Sequence, residues 1–264
     1  MSSLAGTADI IDRHLGLQGG GLKRYATRTA CHGLAGRPPG GFDAGTLLDN
    51  LLARIEQNCA ASGRSPSVQN WRFEKKLHIA QHNTSAEKTL EKAIVARLSD
   101  DWVNQIPTSS GLVGSTQDRH RNIDLAFRHA PGRFELIELK ITSDTPLYAA
   151  MELLEYAALY IYARRRLPAS GSRRAALLSA TTLHWRVLAP RPFYMPFDLG
   201  WLESALTTAL RDAVARHLPD PLDMDFAFTW FAEDFVWPCE TPPDLARALG
   251  QRGPVVWQHT RGKD

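Results

Sequence analysis

The chain has 264 residues and is 44% hydrophobic, enough for one large domain with a sizeable core. A charged fraction of 22% is ordinary, and a net charge of +3 permits a nucleic-acid partner without arguing for one. There is no basic stretch followed by a long apolar run, no apolar segment of spanning length, and no zinc or CxxC spacing among Cys31, Cys59 and Cys239, so the expectation is a cytoplasmic protein with reduced thiols, no leader and no membrane contact.

Residues 1–45 are rich in Gly, Pro and Arg and read as a loose extension or arm. The glycines before Lys23 resemble a phosphate loop only weakly, because Leu22 and Arg24 break the required Gly-Lys-Ser/Thr order. Leu47, Leu48, Leu51, Leu52 and Ile55 predict an amphipathic helix over 46–60. Residues 71–80 alternate weakly and are expected as a strand. A helix follows over about 85–98, capped by Thr84 or Ser85, with Leu90, Ile94, Val95 and Leu98 as its buried stripe. Glu87 and Glu91 lie four apart on it and share a face.

"WVNQIP" reads as a short strand and "TSSGLVGSTQDRHR" as a polar loop. Residues 122–141 read as two strands around Pro131 and Gly132. A long helix starts at Pro146 behind Thr145 and ends at Arg164, Arg165 and Arg166, which suit the negative end of its dipole. A strand at 182–190, a helix at 199–218 and a strand at 222–231 complete the pattern, with a short helix at "PDLARALG" in the tail. The interleaving predicts an α/β (α+β) fold with a mixed central sheet flanked by helices. The division expected is an extension over 1–80, a core over 81–237 and a tail over 238–264.

The hairpin carries unusual charges. Side chains alternate across a strand, so Glu138 and Lys140 share a face with Phe134 and Leu136, and Asp124 shares one with Asn122 and Ala126. A two-residue Pro-Gly turn sets Leu139 across from Asp124. An odd loop or a bulge is needed to set Glu138 there instead. An exposed edge with a solvated Glu-x-Lys pair is the plain alternative. If the charges do converge, Asp124, Glu138 and the Leu139 carbonyl form a hard-oxygen set suited to Mg²⁺ or Mn²⁺. Lys140 would then hold or help deprotonate a water and offset charge on a phosphorane-like transition state.

Asp124 followed by Glu138-Leu139-Lys140, after a Glu-bearing helix and before a long helix, resembles the PD-(D/E)XK nuclease superfamily. The longer pattern "NQIP…GL…IDL…ELK…PL.A..E…Y" looks like that of a bacterial family to which no activity attaches. The resemblance implies a restriction-endonuclease-like αβββαβ core carrying an N-terminal extension. It also implies a metal-dependent hydrolase that cuts DNA in repair, restriction or defence. It assigns Asp124, Glu138, Lys140 and the helix acid Glu91 as catalytic, with Asp124, Glu138, Leu139 and Glu91 at the metal; Glu87 is the alternative helix acid. Glu91 is preferred because it lies one turn deeper among apolar residues. The departure is Ile123, which stands where the pattern has Pro.

Arg119, Arg121, Arg173 and Arg174 are candidate phosphate contacts. Tyr156 and Glu152 are placed to reach the site from the long helix. A homodimer, and a protein partner held by residues 1–80, are compatible with the sequence. Two other readings stand beside the enzyme: a non-catalytic domain of the same fold binding nucleic acid or protein, and an interaction module whose acids point apart.

Overall fold

Five patterned segments pair into one sheet, and a sixth strand of two residues borders it. The computed structural model describes residues 2–18, 22–64, 70–76, 85–166, 173–238 and 244–257. The strands are β1 (Trp102–Pro107), β2 (Asn122–Ala130), β3 (Arg133–Leu139), β4 (Thr182–Ala189), β5 (Asp223–Trp230) and β6 (Gly253–Pro254), adjacent in that order. Neighbours among β1, β2 and β3 are antiparallel, β3, β4 and β5 run parallel, and β6 returns antiparallel to β5.

The helices are α1 (Thr7–His14), α2 (Arg28–Gly33), α3 (Ala44–Ala60), α4 (Ala86–Arg97), α5 (Pro146–Arg166), α6 (Arg191–Tyr194), α7 (Gly200–His217) and α8 (Leu245–Gly250). Parallel strands need long crossovers, and α5 and α7 supply them. Both pack, with α1 and α3, on one face of the sheet, burying Leu136, Val187 and Phe228 against Leu48, Tyr160 and Leu206. On the opposite face, Leu90 and Ile94 of α4 and Leu249 of α8 cover Leu125, Ile137, Leu139 and Leu188. The sheet is therefore the middle of three layers. Helix α5 is buried on nearly every side, which is why its apolar residues run around it rather than along one stripe.

From α4 to β5 the elements follow the predicted order: helix, three strands, helix, strand, helix, strand. Two expectations are corrected. Residues 2–18 and 22–45 are not a loose arm. Ile10, Ile11, Leu15, Tyr25 and Cys31 are buried in the main core, with α1 and α2 too short for their periodicity to stand out among the glycines. Trp71–Lys76 forms no strand, because Asn104 uses its side-chain amide to bond both backbone groups of Lys76. The remainder of that expected strand, 77–80, lies outside the described residues. Strand β6 and helix α6 were unforeseen, being shorter than any pattern. No described helix is long and apolar enough to cross a membrane.

The hairpin resolves its own parity. Ala130 pairs with Arg133 across a two-residue Pro131–Gly132 turn, with Gly132 at φ 75, the sign that the third position of a type II turn requires. The register then slips between Arg128 and Ala130, so that Arg128 faces Phe134 and Leu125 faces Ile137. Carried one residue outward, that register sets Asp124 across from Glu138. The extra residue, His129, is the bulge.

Candidate active site

The charged residues meet at the carboxyl end of β3, between the first turns of α4 and α5. Asp124 is 8% exposed, Glu138 5% and Lys140 7%, so none is the solvated rim expected of an ordinary strand end. The Leu139 backbone N–H donates to Asp124 Oδ2 at 3.1 Å. Lys140 Nζ lies 2.9 Å from Glu138 Oε1, 3.1 Å from Asp144 Oδ2 and 3.3 Å from Glu152 Oε2. Glu138 Oε2 is buried and without a hydrogen-bond partner among the described residues.

Helix α4 contributes two acids with different work. Glu87 accepts from the backbone N–H groups of Ile141 and Thr142 and from the Ser143 hydroxyl, at 3.1, 3.3 and 3.0 Å. It ties down the loop after β3. Glu91 is fully buried, and Lys88 links it to Asp124, with Nζ 2.6 Å from Glu91 Oε2 and 2.7 Å from Asp124 Oδ1. Of the two helix acids, Glu91 is therefore the one set against Asp124. Its oxygens are also met by the side-chain amides of Asn104 at 2.8 Å and Gln105 at 2.9 Å.

The electrostatics follow from burial. Burial and the charges of Asp124 and Glu152 push the Glu138 carboxyl well above the usual carboxylate range. Burial and Asp124 push Glu91 up to about 7, against the pull of Lys88. Burial opposes the charge on Lys140, yet attraction from Glu138, Glu152 and Asp124 overrides it and holds the ammonium well above its ordinary range. The site is a network of alternating charge, each sign kept in place by the other.

Set against protein-family models, curated proteins and solved structures, the chain matches none.

The remaining predicted residues divide. Arg121 turns inward: its Nε is buried without a hydrogen-bond partner among the described residues, lies 3.7 Å from Asp118, and its charge is felt by Glu155 and Tyr156 of α5. Arg119 is exposed on the turn before β2. Arg173 and Arg174 lie on a 3-10 turn, and their side chains lie outside the described residues. Glu152 does reach the site, and Tyr156 donates to it at 3.5 Å. Lys88, Asn104 and Gln105 were missed. Lys88 precedes Glu91 by three residues on α4, hence on the same face, and that was the available signal.

Among the described residues no three His, Cys, Asp or Glu side chains are grouped to hold a metal. The donor set at the carboxyl end of β3 still suits a hard divalent ion. It has two buried carboxylates, Asp124 and Glu138, whose charges act on each other, one orphaned buried carboxylate oxygen and a strand-end carbonyl, and Mg²⁺ commonly leaves its other positions to water and substrate phosphate.

Proposed function

We propose that the chain is a metal-dependent nuclease of the PD-(D/E)XK type acting on DNA, with a restriction-endonuclease-like core formed by α4, β1, β2, β3, α5 and β4. The observation that carries the reading is the bulge at His129, which restores the register that sets Asp124 across from Glu138 while Lys140 touches Glu138. A strand pair built only for packing has no need of an interruption that buries three charges together. Asp124, Glu138 and the Leu139 carbonyl would hold Mg²⁺ or Mn²⁺, which supplies Lewis-acid activation of the phosphate and of water.

The residues of the chain divide the remaining work. Lys140 stays an ammonium, so it orients the attacking water and offsets the negative charge that builds on the phosphorus oxygens, and it is no proton acceptor. Glu152 and Asp144 hold that ammonium in place. Glu91 holds Lys88 rather than standing free as a ligand. Arg119, exposed just ahead of β2, supplies positive charge for neighbouring phosphates, whereas Arg121 is turned inward toward Asp118 and α5.

One observation favours a second reading. Lys88 sits between Asp124 and Glu91 as a tethered cation, which would let the fold keep its acids without any metal and serve as a non-catalytic nucleic-acid-binding or protein-binding domain. The test is cleavage of supercoiled, linear duplex and single-stranded DNA with Mg²⁺ or Mn²⁺, beside Asp124→Asn, Lys140→Met and a chelator control. Cutting that needs metal and vanishes in both variants is expected. Absence of cutting by the wild type, together with no Mn²⁺ binding by calorimetry, sinks the enzyme and leaves the second reading.

A further inference from the structure

We infer that Lys23, delivered by the N-terminal segment, binds a substrate phosphate next to the one that Lys140 serves; the inference rests on the nuclease reading above. The segment is anchored with unusual care. Both oxygens of the Asp12 carboxylate accept backbone N–H groups, from Arg24 and Tyr25, each at 2.9 Å. Tyr25 is fully buried, and its ring stacks on Tyr148 of α5 with centroids 5.9 Å apart. These contacts fix the residue just before them. Lys23 is held at φ 42, ψ 54, a left-handed conformation that a lysine seldom adopts.

That strain has a pattern. Four described residues other than glycine have positive φ, and three of them adjoin the site: Gln105 bonds Glu91, Asp144 pairs with Lys140, and Lys23 reaches Tyr148. Strained backbone clusters where surrounding structure over-determines a functional geometry. The Lys23 ammonium lies 5.4 Å from the centre of the Tyr148 ring, and the Lys140 ammonium lies 5.4 Å from the same centre. The two cations are thus within twice that distance of each other, a span that suits neighbouring phosphates of one strand. Among the described residues Lys23 makes no salt bridge and is only part-buried, whereas Lys140 is committed to three acids. An anchored, part-exposed ammonium beside a proposed phosphate-cutting centre is a phosphate contact.

Lys23→Gly separates this role from folding, since glycine accepts the left-handed backbone and removes only the side chain. In a cleavage-dead Asp124→Asn background, affinity for a fluorescein-labelled 20-base-pair duplex would be followed by anisotropy across a KCl series. The glycine variant is expected to melt no lower than its parent, bind about fivefold more weakly, and lose about 0.9 from the salt-dependence slope, with Lys23→Arg restoring both. Parental affinity and slope in Lys23→Gly would overturn the inference. DNA binding with a Lys23-dependent slope but no cutting by the wild type would keep Lys23 and overturn hydrolysis. No binding by any form overturns both.

Discussion

Lys88 places one ammonium between two carboxylates, Asp124 and Glu91, that burial would otherwise force to repel each other. Breaking such a pair leaves a buried charge unpaired, so Lys88→Ala should cost roughly 3 kcal/mol in urea unfolding. If the gap is a cation position, Mn²⁺ should raise the melting temperature of the variant more than that of the wild type; equal shifts would argue that no ion replaces the lysine. Glu91 makes a second prediction. Its carboxyl holds a proton up to about 7 in the folded protein against an ordinary 4.5. Between those values the folded state binds a proton that the unfolded chain has released. Stability from this group is therefore complete below the ordinary value and is lost as pH rises through about 7. Glu91→Gln should flatten that decline in melting temperature between about pH 5 and 8. Asp124, Glu138 and Lys140 were legible because three charges in two apolar strands defy the pattern around them. Lys88 was not, because its role lies in reaching Asp124, 36 residues away in sequence.

The β2–β3 hairpin decides which side chains meet. Without the His129 bulge, the Pro131–Gly132 turn would carry Leu139 to the place of Glu138. Deleting His129 should therefore abolish cleavage while leaving a protein of similar secondary structure by circular dichroism. An active deletion variant would show that the register carries no chemistry. Gly132 is constrained as well: it has φ 75, and an added Cβ would lie 3.0 Å from the Thr181 hydroxyl. Gly132→Ala should cost about 1–2 kcal/mol by urea denaturation. Apart from the four-residue α6, the helices and strands from α4 to β5 could be read from sequence because each is long enough for its period to repeat. The bulge could be named only as a condition, since no residue type marks it. The two-residue β6 has no period at all; Val255 places it by donating its N–H to Phe228.

At the scale of the whole molecule, the expected boundary near residue 80 does not separate two cores. Leu4, Ile11, Leu15 and Tyr25 share one buried cluster with α5, α7 and the sheet. The Ser2 hydroxyl and Ser3 N–H meet the buried Asp118, and the Thr7 hydroxyl meets the buried Glu155. Removing residues 2–18 exposes several large apolar side chains, each worth about 1.5–3 kcal/mol, against a total stability of about 5–15 kcal/mol. The truncated chain should lose its cooperative thermal transition, whereas a detachable arm would leave it unchanged. The same contacts set a timetable. Ser3 and Asp118 are 115 positions apart, and Thr7 and Glu155 are 148. At about 5–20 residues per second of synthesis, Thr7 waits roughly 7–30 s before its partner exists. Helix α1 can meet α3 early, through Asn58 and the Ser3 and Ala5 carbonyls, but its contacts with Asp118 and α5 must wait for most of the chain to be made.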